Sequence, residues 1–302
     1  MDEFAFIDWI RSITRLDPQA VPVGPGDDCA VLRVGQEQLL VTTDQCADGV
    51  HFILSECGPE QAGYKVMARN LSDIAAMAGE PLAAVATVAL PRGMPTEHAK
   101  SIYLGLRRAG DAFHCPVVGG DVMAWNNPLL LTVTLLGRPV GKAPILRSGA
   151  KVGDAICVTG TLGGSVASGK HLRFIPRLAE ASRLVQRYPL HAMIDLSDGL
   201  ASDLRHICKE SRAGAQLLSQ SIPLSPAAQT QSDPLTSALT DGEDYELLFT
   251  LPADAADGML ADQPLDVAVT RIGTITADPA ITLLDPAGLP HPLDGSGFRH
   301  ST

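Results

Sequence analysis

Aspartates recur in this chain at one kind of position: at the end of an apolar run, or wedged among Gly, Ser and Thr. Asp27 and Asp28 stand in Gly24-Pro-Gly-Asp-Asp, Asp44 ends Leu39-Leu-Val-Thr-Thr-Asp, and Asp73 closes Asn70-Leu-Ser-Asp. Asp121 follows Val117-Val-Gly-Gly. Asp195 and Asp198 lie in Ile194-Asp-Leu-Ser-Asp-Gly, and Asp241 and Asp244 in Asp241-Gly-Glu-Asp-Tyr. A carboxylate just past a buried strand sits where that strand delivers its side chains to a site. Gly and Ser neighbours let backbone and hydroxyl groups approach a ligand closely. Carboxylates gathered in this way repel one another unless hard cations neutralise them, and Mg²⁺ with phosphate oxygens is the usual solution. The pattern points to a chain built around a polyphosphate held through metal.

At 302 residues the chain exceeds the usual single core, so two domains are expected. Apolar residues at 45% and charged residues at 19% can fill ordinary cores. A net charge of -11 argues against nucleic acid as a partner, because phosphate backbones need a positive surface. Any bound anion then needs metal or local cations. Cys29, Cys46, Cys57, Cys115, Cys157 and Cys208 form no C-x-x-C pair, and read as small buried hydrophobes in a reducing compartment. The acidic start Met1-Asp-Glu-Phe lacks the basic region of a secretory signal. Leu82 to Leu90 and Pro128 to Gly137, the most apolar stretches, are too short to span a bilayer. A cytoplasmic protein without a membrane partner is expected.

Helices are predicted over Phe4–Ile13, from Gly58-Pro59 to about Ala78, from Thr96 to about Phe113, near Gly164, over Leu178–Arg187 and over Gly199–Ser211. Strands are predicted at Leu39–Thr43, Leu82–Leu90, Pro116–Val118, Leu129–Leu136, Ala155–Val158 and Ala192–Ile194. Four more fill the C-terminal third, at Ala215–Leu218, Tyr245–Leu251, Val267–Ile275 and Ile281–Leu284. This alternation indicates an α/β protein of two domains. The Gly- and Pro-dense stretch Arg138 to Gly153 divides it into 1–138 and 139–302.

Gly164-Ser-Val-Ala-Ser-Gly-Lys170 fits G-x-x-x-x-G-K, but His171 stands where a P-loop places the Ser or Thr that holds Mg²⁺. A strand, turn and helix with glycines permitting close packing is the better reading. Asp73 stands four residues after Arg69, so a simple helix-surface ion pair is its bland alternative. Gly119-Gly-Asp121 reads equally as a tight turn, and Asp198-Gly199 as a helix cap.

In order along the chain, Gly24-Pro-Gly-Asp-Asp-Cys-Ala-Val, Thr42-Thr-Asp with Gly49-Val-His-Phe, and Tyr64-Lys-Val-Met-Ala-Arg-Asn-Leu-Ser-Asp form one series. Gly119-Gly-Asp, Arg147-Ser-Gly-Ala-Lys-Val-Gly-Asp, Ile194-Asp-Leu-Ser-Asp-Gly-Leu and Gly242-Glu-Asp-Tyr-Glu-Leu continue it. Over nearly its whole length the chain resembles the thiamine-monophosphate kinase family, of the aminoimidazole ribonucleotide synthetase and selenophosphate synthetase superfamily. The resemblance implies two α/β domains of the aminoimidazole-ribonucleotide-synthetase-like type. The N-terminal one dimerises and binds nucleotide, so a homodimer is implied, and the C-terminal one closes over the site. The implied reaction is ATP plus thiamine monophosphate giving thiamine diphosphate and ADP. Carried over by motif, Asp28, Thr42, Thr43, Asp44, Asp73, Asp121, Asp195 and Asp198 are implied as the shell of several Mg²⁺ ions. Tyr103, Gly120, Asp121, Arg147 and Ser197 are implied nucleotide contacts, and His51, Glu243 and Phe298 acceptor contacts. Phe298 stands where the family often has Trp or Tyr. A general base is not implied. A selenophosphate synthetase would need a reactive Cys early in the chain, and no Cys precedes Cys29. A nucleotide sensor without activity is the reading from outside enzymology, and the intact aspartate set argues against it.

Overall fold

A computed structural model of the chain describes residues 3–293. Two sheets organise it. β1 (Ala30–Val34), β2 (Glu37–Ala47), β3 (Gly79–Pro91), β4 (Val117–Trp125) and β5 (Leu130–Pro139) form the first, in the order β1-β2-β5-β3-β4. The second is mixed and runs β12-β11-β8-β10-β6-β9-β7. Its strands are β6 (Ala155–Thr159), β7 (Ala192–Asp195), β8 (Gly214–Leu218), β9 (Leu247–Leu251), β10 (Val269–Thr276), β11 (Ile281–Leu284) and β12 (Pro290–Pro292). Seven α-helices accompany them among the described residues: α1 (Glu3–Ile13), α2 (Leu54–Ala76), α3 (Thr96–Ala112), α4 (Leu178–Arg187), α5 (Leu200–Ser211), α6 (Pro234–Thr240) and α7 (Ala253–Asp262).

Helix α2 ties the two sheets together. It packs on β2, β3 and β5 of the first sheet, on β7 of the second and on helix α4. Beyond Gly58, where φ is 76° and Pro59 begins the regular turns, it is buried on nearly every side. A helix in that position has no wet face, so it lacks a clean apolar stripe and carries Lys65, Asn70 and Ser72 into the interior. Leu71 and Ile74 share one continuous core with Leu131 and Leu135 of β5 and with Met193 and Phe249 of the second sheet.

Helix α3 crosses α2 at backbone contact. A Cβ built on Gly63 would lie 2.0 Å from the Ile102 carbonyl oxygen, and one on Gly105 would lie 1.9 Å from the Glu60 carbonyl oxygen. Only glycine allows the two helices to approach this closely.

Several expectations change. The strand expected at Pro116–Val118 runs on through Gly119-Gly-Asp121 to Trp125, because parallel pairing with β3 from Val85↔Gly119 to Pro91↔Trp125 carries the two glycines along. Strands β1 and β12 and helices α6 and α7 were not anticipated. Helix α6 does have a legible start, with Asp233 accepting from the Thr236 amide at 3.1 Å and Pro at the first turn. No helix forms near Gly164. Gly163 and Gly164 have φ of 83° and 67°, and their amides donate to Asp244 Oδ2 at 2.9 Å and Asp241 Oδ2 at 3.0 Å. Within the G-x-x-x-x-G-K segment the Gly164 amide is taken by Asp241, and the Ser168 and Gly169 amides by the loop's own carbonyls. Lys170 is likewise held, its Nζ 2.9 Å from Glu246 Oε1, which also receives Arg177 at 2.8 Å. Close packing around these glycines does hold: a Cβ on Gly163 would sit 2.7 Å from the Ala238 nitrogen.

Gly63→Ala should lower the melting temperature although alanine favours helices by about 1 kcal/mol over glycine. The added methyl must separate α2 from α3, at an overpacking cost of roughly 1–3 kcal/mol. Thermal denaturation reads the sign. Lys170→Ala should lower the melting temperature by a few degrees, because Arg177 still pairs with Glu246, and should leave turnover within about threefold of wild type. Steady-state assays beside the melts check that separation.

Candidate functional site

The site assembles where α2 meets both sheets. On β2 the side chains alternate, so Thr42 and Asp44 share one face with the buried Leu40 and Cys46. Thr43 faces the other way, and its hydroxyl bonds the Val133 carbonyl at 3.1 Å. One helix face of α2 presents Lys65, Arg69 and Asp73 at four-residue spacing. Strand β7 ends at Asp195, and Asp27 and Asp28 stand in the turn that precedes β1.

Asp28, Asp73 and Asp195 each offer a carboxylate oxygen, and these oxygens lie within 4.8 Å of one another. They line a cavity of about 210 Å³ together with Asp27, Asp44 and Thr42. Each acid is anchored by a separate partner. Thr42 Oγ1 donates to Asp73 Oδ2 at 2.5 Å, and Ser72 Oγ donates to Asp195 Oδ2 at 2.5 Å. Arg147 donates through Nη2 to Asp28 Oδ1 at 2.6 Å, and its backbone amide reaches Asp27 at 3.2 Å. Arg69 stands over Asp44, with Nε 3.3 Å from Oδ2. Ser197 also lines this cavity.

Burial dominates the electrostatics. Desolvation, then the neighbouring Asp28, push Asp27 and Asp195 up to about 7. Asp73 is raised well above the carboxylate range by burial, then by Asp44, Asp195 and Asp28. Carboxylates packed together beside a threonine hydroxyl are the oxygen donor set of a hard divalent cation, and its charge would reverse each of these shifts.

A second cavity, of about 260 Å³, lies on the other side of the turn Glu243-Asp244-Tyr245 and is lined by His51, Phe52, Lys65, His171 and Glu243. Lys65 is fully buried. Its Nζ lies 2.6 Å from Glu243 Oε2 and donates to the His51 carbonyl at 2.6 Å. The Ala47 amide donates to His51 Nδ1 at 3.1 Å. Glu243 and Tyr245 both adopt positive φ, 57° and 50°, and strain of this kind gathers at functional turns. A third cavity, of about 300 Å³ and largely apolar, lies between α3 and the β4 edge, with Tyr103, Gly120 and Asp121 in its lining.

The structure thus brings Asp28, Thr42, Asp44, Asp73, Asp195, Arg147 and Ser197 to one cavity, while Thr43 borders it with its hydroxyl turned away to Val133. It sets His51 and Glu243 beside a second, and Tyr103, Gly120 and Asp121 beside the third. Asp198 does not line the acidic cavity; its amide donates to Asp203 at 3.1 Å. Phe298 lies outside the described residues. Arg69 pairs with Asp44 and not with Asp73. Asp241 and Asp244, which end the aspartate series, hold the Gly163-Gly164 loop. Sequence reasoning missed Lys65, Arg69 and Tyr245 as lining groups. The first two had a signal: with Asp73 they place three charges at four-residue spacing along one face of the helix.

The family model of the AIR synthase related protein N-terminal domain matches residues 26–138, and that of the C-terminal domain matches residues 151–285. The thiamine-monophosphate kinase of Rhodopirellula baltica is 41% identical over 90% of this chain and 89% of its own. That of Escherichia coli K12 is 37% identical over 98% of this chain and 95% of its own. The structure of AaThiL complexed with AMPPCP and TMP superposes with a TM-score of 0.85 at 28% identity, covering 99% of this chain and 97% of that one. With such identity along almost its full length, the chain belongs to the thiamine-monophosphate kinase family.

Proposed function

We propose that the protein transfers the γ-phosphate of ATP to thiamine monophosphate, giving thiamine diphosphate and ADP, with Mg²⁺ held in the acidic cavity. The convergence of Asp28, Asp73 and Asp195 from three separate segments within 4.8 Å carries this reading. The relatives' names supply the reaction, and the AaThiL complex pairs an ATP analogue with the acceptor.

The acceptor is already a phosphate with a second pKa of about 6, so it is largely a dianion at neutral pH and needs no general base. One of its oxygens bonds to the γ-phosphorus as the bond from that phosphorus to the β-phosphate oxygen breaks, and the electron pair leaves on ADP. The obstacle is the approach of two anions. Mg²⁺ bound at the cavity would neutralise both and favour in-line alignment. Asp28, Asp44, Asp73 and Asp195 would hold it, with Thr42 and Thr43 beside them, and Asp121 and Asp198 completing the proposed shell from outside the cavity lining. Arg147 and Ser197 face the nucleotide from the acidic side, Tyr103 and Gly120 from the third cavity. His51 and Glu243 belong to the acceptor, as does Phe298 in the carried-over motif. Lys65 neutralises Glu243 and so fixes the strained turn between the two cavities.

A homodimer is part of the proposal. Strand β4 ends its sheet, and Val118, Val122 and Met123 on it are 64%, 68% and 51% exposed. An apolar edge strand of this kind calls for a partner, and a second copy would cover it. Among the described residues no helix is long and apolar enough to cross a membrane. The six cysteines are unpaired and five are buried, which suits the reducing cytoplasm we assign to the chain.

Purified protein with ATP, Mg²⁺ and thiamine monophosphate should form thiamine diphosphate, measured directly, with free thiamine a poor acceptor. Equal phosphorylation of thiamine would overturn the assignment. Asp73→Asn should lower turnover on the order of a hundredfold or more. The same variant should reduce the stabilisation that added Mg²⁺ gives. The sign of the pH effect follows from raised folded-state values: Asp27 and Asp195 hold their protons in the folded chain up to about 7 but lose them near 3.8 when unfolded, so metal-free protein should lose stability as pH rises between those values. Melting curves with and without Mg²⁺ read all of these effects except turnover.

A further inference from the structure

The lining of the acidic cavity contains Arg69 and Tyr245, two polar groups whose bonding is unfinished. Arg69 is the first. Its guanidinium reaches Asp44 only at 3.3 and 3.4 Å and Cys46 Sγ at 3.7 Å, and Nε makes no hydrogen bond among the described residues. Other half-buried or buried arginines here are far better satisfied. Arg147 holds Asp28 at 2.6 Å, and Arg177 holds Glu246 at 2.7 and 2.8 Å. Guanidinium carries five donors in a rigid fork, and leaving them loosely engaged in a dry site is costly.

Tyr245 is the second. It is 2% exposed, and its hydroxyl has no hydrogen-bond partner among the described residues although it lines the acidic cavity. The ring is fixed by stacking on Phe174 at 3.8 Å between centroids with planes 13° apart, and Phe174 is itself held in place where Tyr64 Oη donates to its carbonyl at 2.7 Å. A buried phenol held this rigidly, on a backbone with positive φ, is aimed and not merely packed.

Both groups line the acidic cavity, and each has a near neighbour in sequence that lines the acceptor cavity. Arg69 is one helical turn from Lys65, and Tyr245 is two residues from Glu243; Lys65 and Glu243 line the acceptor cavity. A fork of N–H donors and one hydroxyl facing the same acidic cavity is a complement for a phosphate monoester. Resting on the kinase reading above, we infer that Arg69 and Tyr245 grip the phosphate of the acceptor and hold its attacking oxygen toward the metal-binding cavity. Arg69 then exchanges its long contacts to Asp44 for short ones to phosphate when substrate enters.

The test uses the full chain with AMPPCP and Mg²⁺ present, and titrates thiamine monophosphate and, separately, free thiamine, which keeps the rings and lacks the phosphate. Arg69→Met should weaken thiamine monophosphate by roughly tenfold or more, the scale of a lost hydrogen bond to a charged group. Tyr245→Phe should weaken it by about threefold to tenfold. Thiamine and AMPPCP affinities should stay within about twofold in both. Arg69→Lys keeps the charge without the fork and should fall between wild type and Arg69→Met. It also serves, with Tyr245→Phe, if the methionine variant does not fold. Unchanged affinity for thiamine monophosphate overturns the inference, and so does an equal loss for thiamine, which would mark a packing role. If wild type forms no thiamine diphosphate, the kinase reading itself fails; if wild type is active and the variants bind normally, only the assignment of Arg69 and Tyr245 fails.

Discussion

Helix α2 has to be dry on both sides and still deliver charge, and most of the molecule follows from that constraint. It lies between two sheets, so its apolar residues Leu71 and Ile74 serve one continuous core. Its polar residues Lys65, Arg69, Ser72 and Asp73 are carried into low-dielectric surroundings, where a charge without a partner is costly. Each therefore meets a group from elsewhere in the chain: Glu243, Asp44, Asp195 and Thr42. These pairings fix the second sheet against the first. They also collect the carboxylates that face one another across the cavity.

Carboxylates play two opposite roles in this protein, and their partners distinguish them. Asp244 accepts from the Gly163 amide and the Ser165 hydroxyl, and Glu246 is held by Lys170, Arg177 and Thr159. Those acids are satisfied from within and close a loop. Asp28, Asp73 and Asp195 each have one anchoring partner and otherwise face other acids. Folding leaves them short of positive charge, and that deficit is what a divalent cation with phosphates relieves. The same residue type thus serves structure where amides and cations surround it, and chemistry where they do not.

Much of the site was legible in the chain because its signals are local. Thr42-Thr43-Asp44 at the end of an apolar run, Ser72-Asp73 inside a helix and Asp195 closing a strand each break a hydrophobic pattern at a definite place. An acidic composition with so many interrupted runs already required metal or local cations for any bound phosphate. Family resemblance added the reaction, on ordered motifs spread over nearly the whole length. Less legible were elements stabilised by partners distant in sequence. Strand β4 passes through Gly119-Gly120 because β3 pairs with it, and the G-x-x-x-x-G-K segment is held in turns where Asp241 takes the Gly164 amide and Asp244 the Ser165 hydroxyl.

By itself the sequence determined which residue types end each strand, where charges interrupt the long helix, and that two α/β units share the chain. It did not determine which charges meet. Arg69 could pair with Asp73 one turn away on its own helix, yet it stands over Asp44 on β2. Asp241 and Asp244 look like further metal ligands in one dimension and are loop anchors in three. Tyr245 gives no sequence sign that its hydroxyl is buried without a partner. Only the tertiary structure decided these matters. Pairing energy depends on distance and desolvation, and both are set by how α2 is enclosed between sheets whose strands are far apart in sequence.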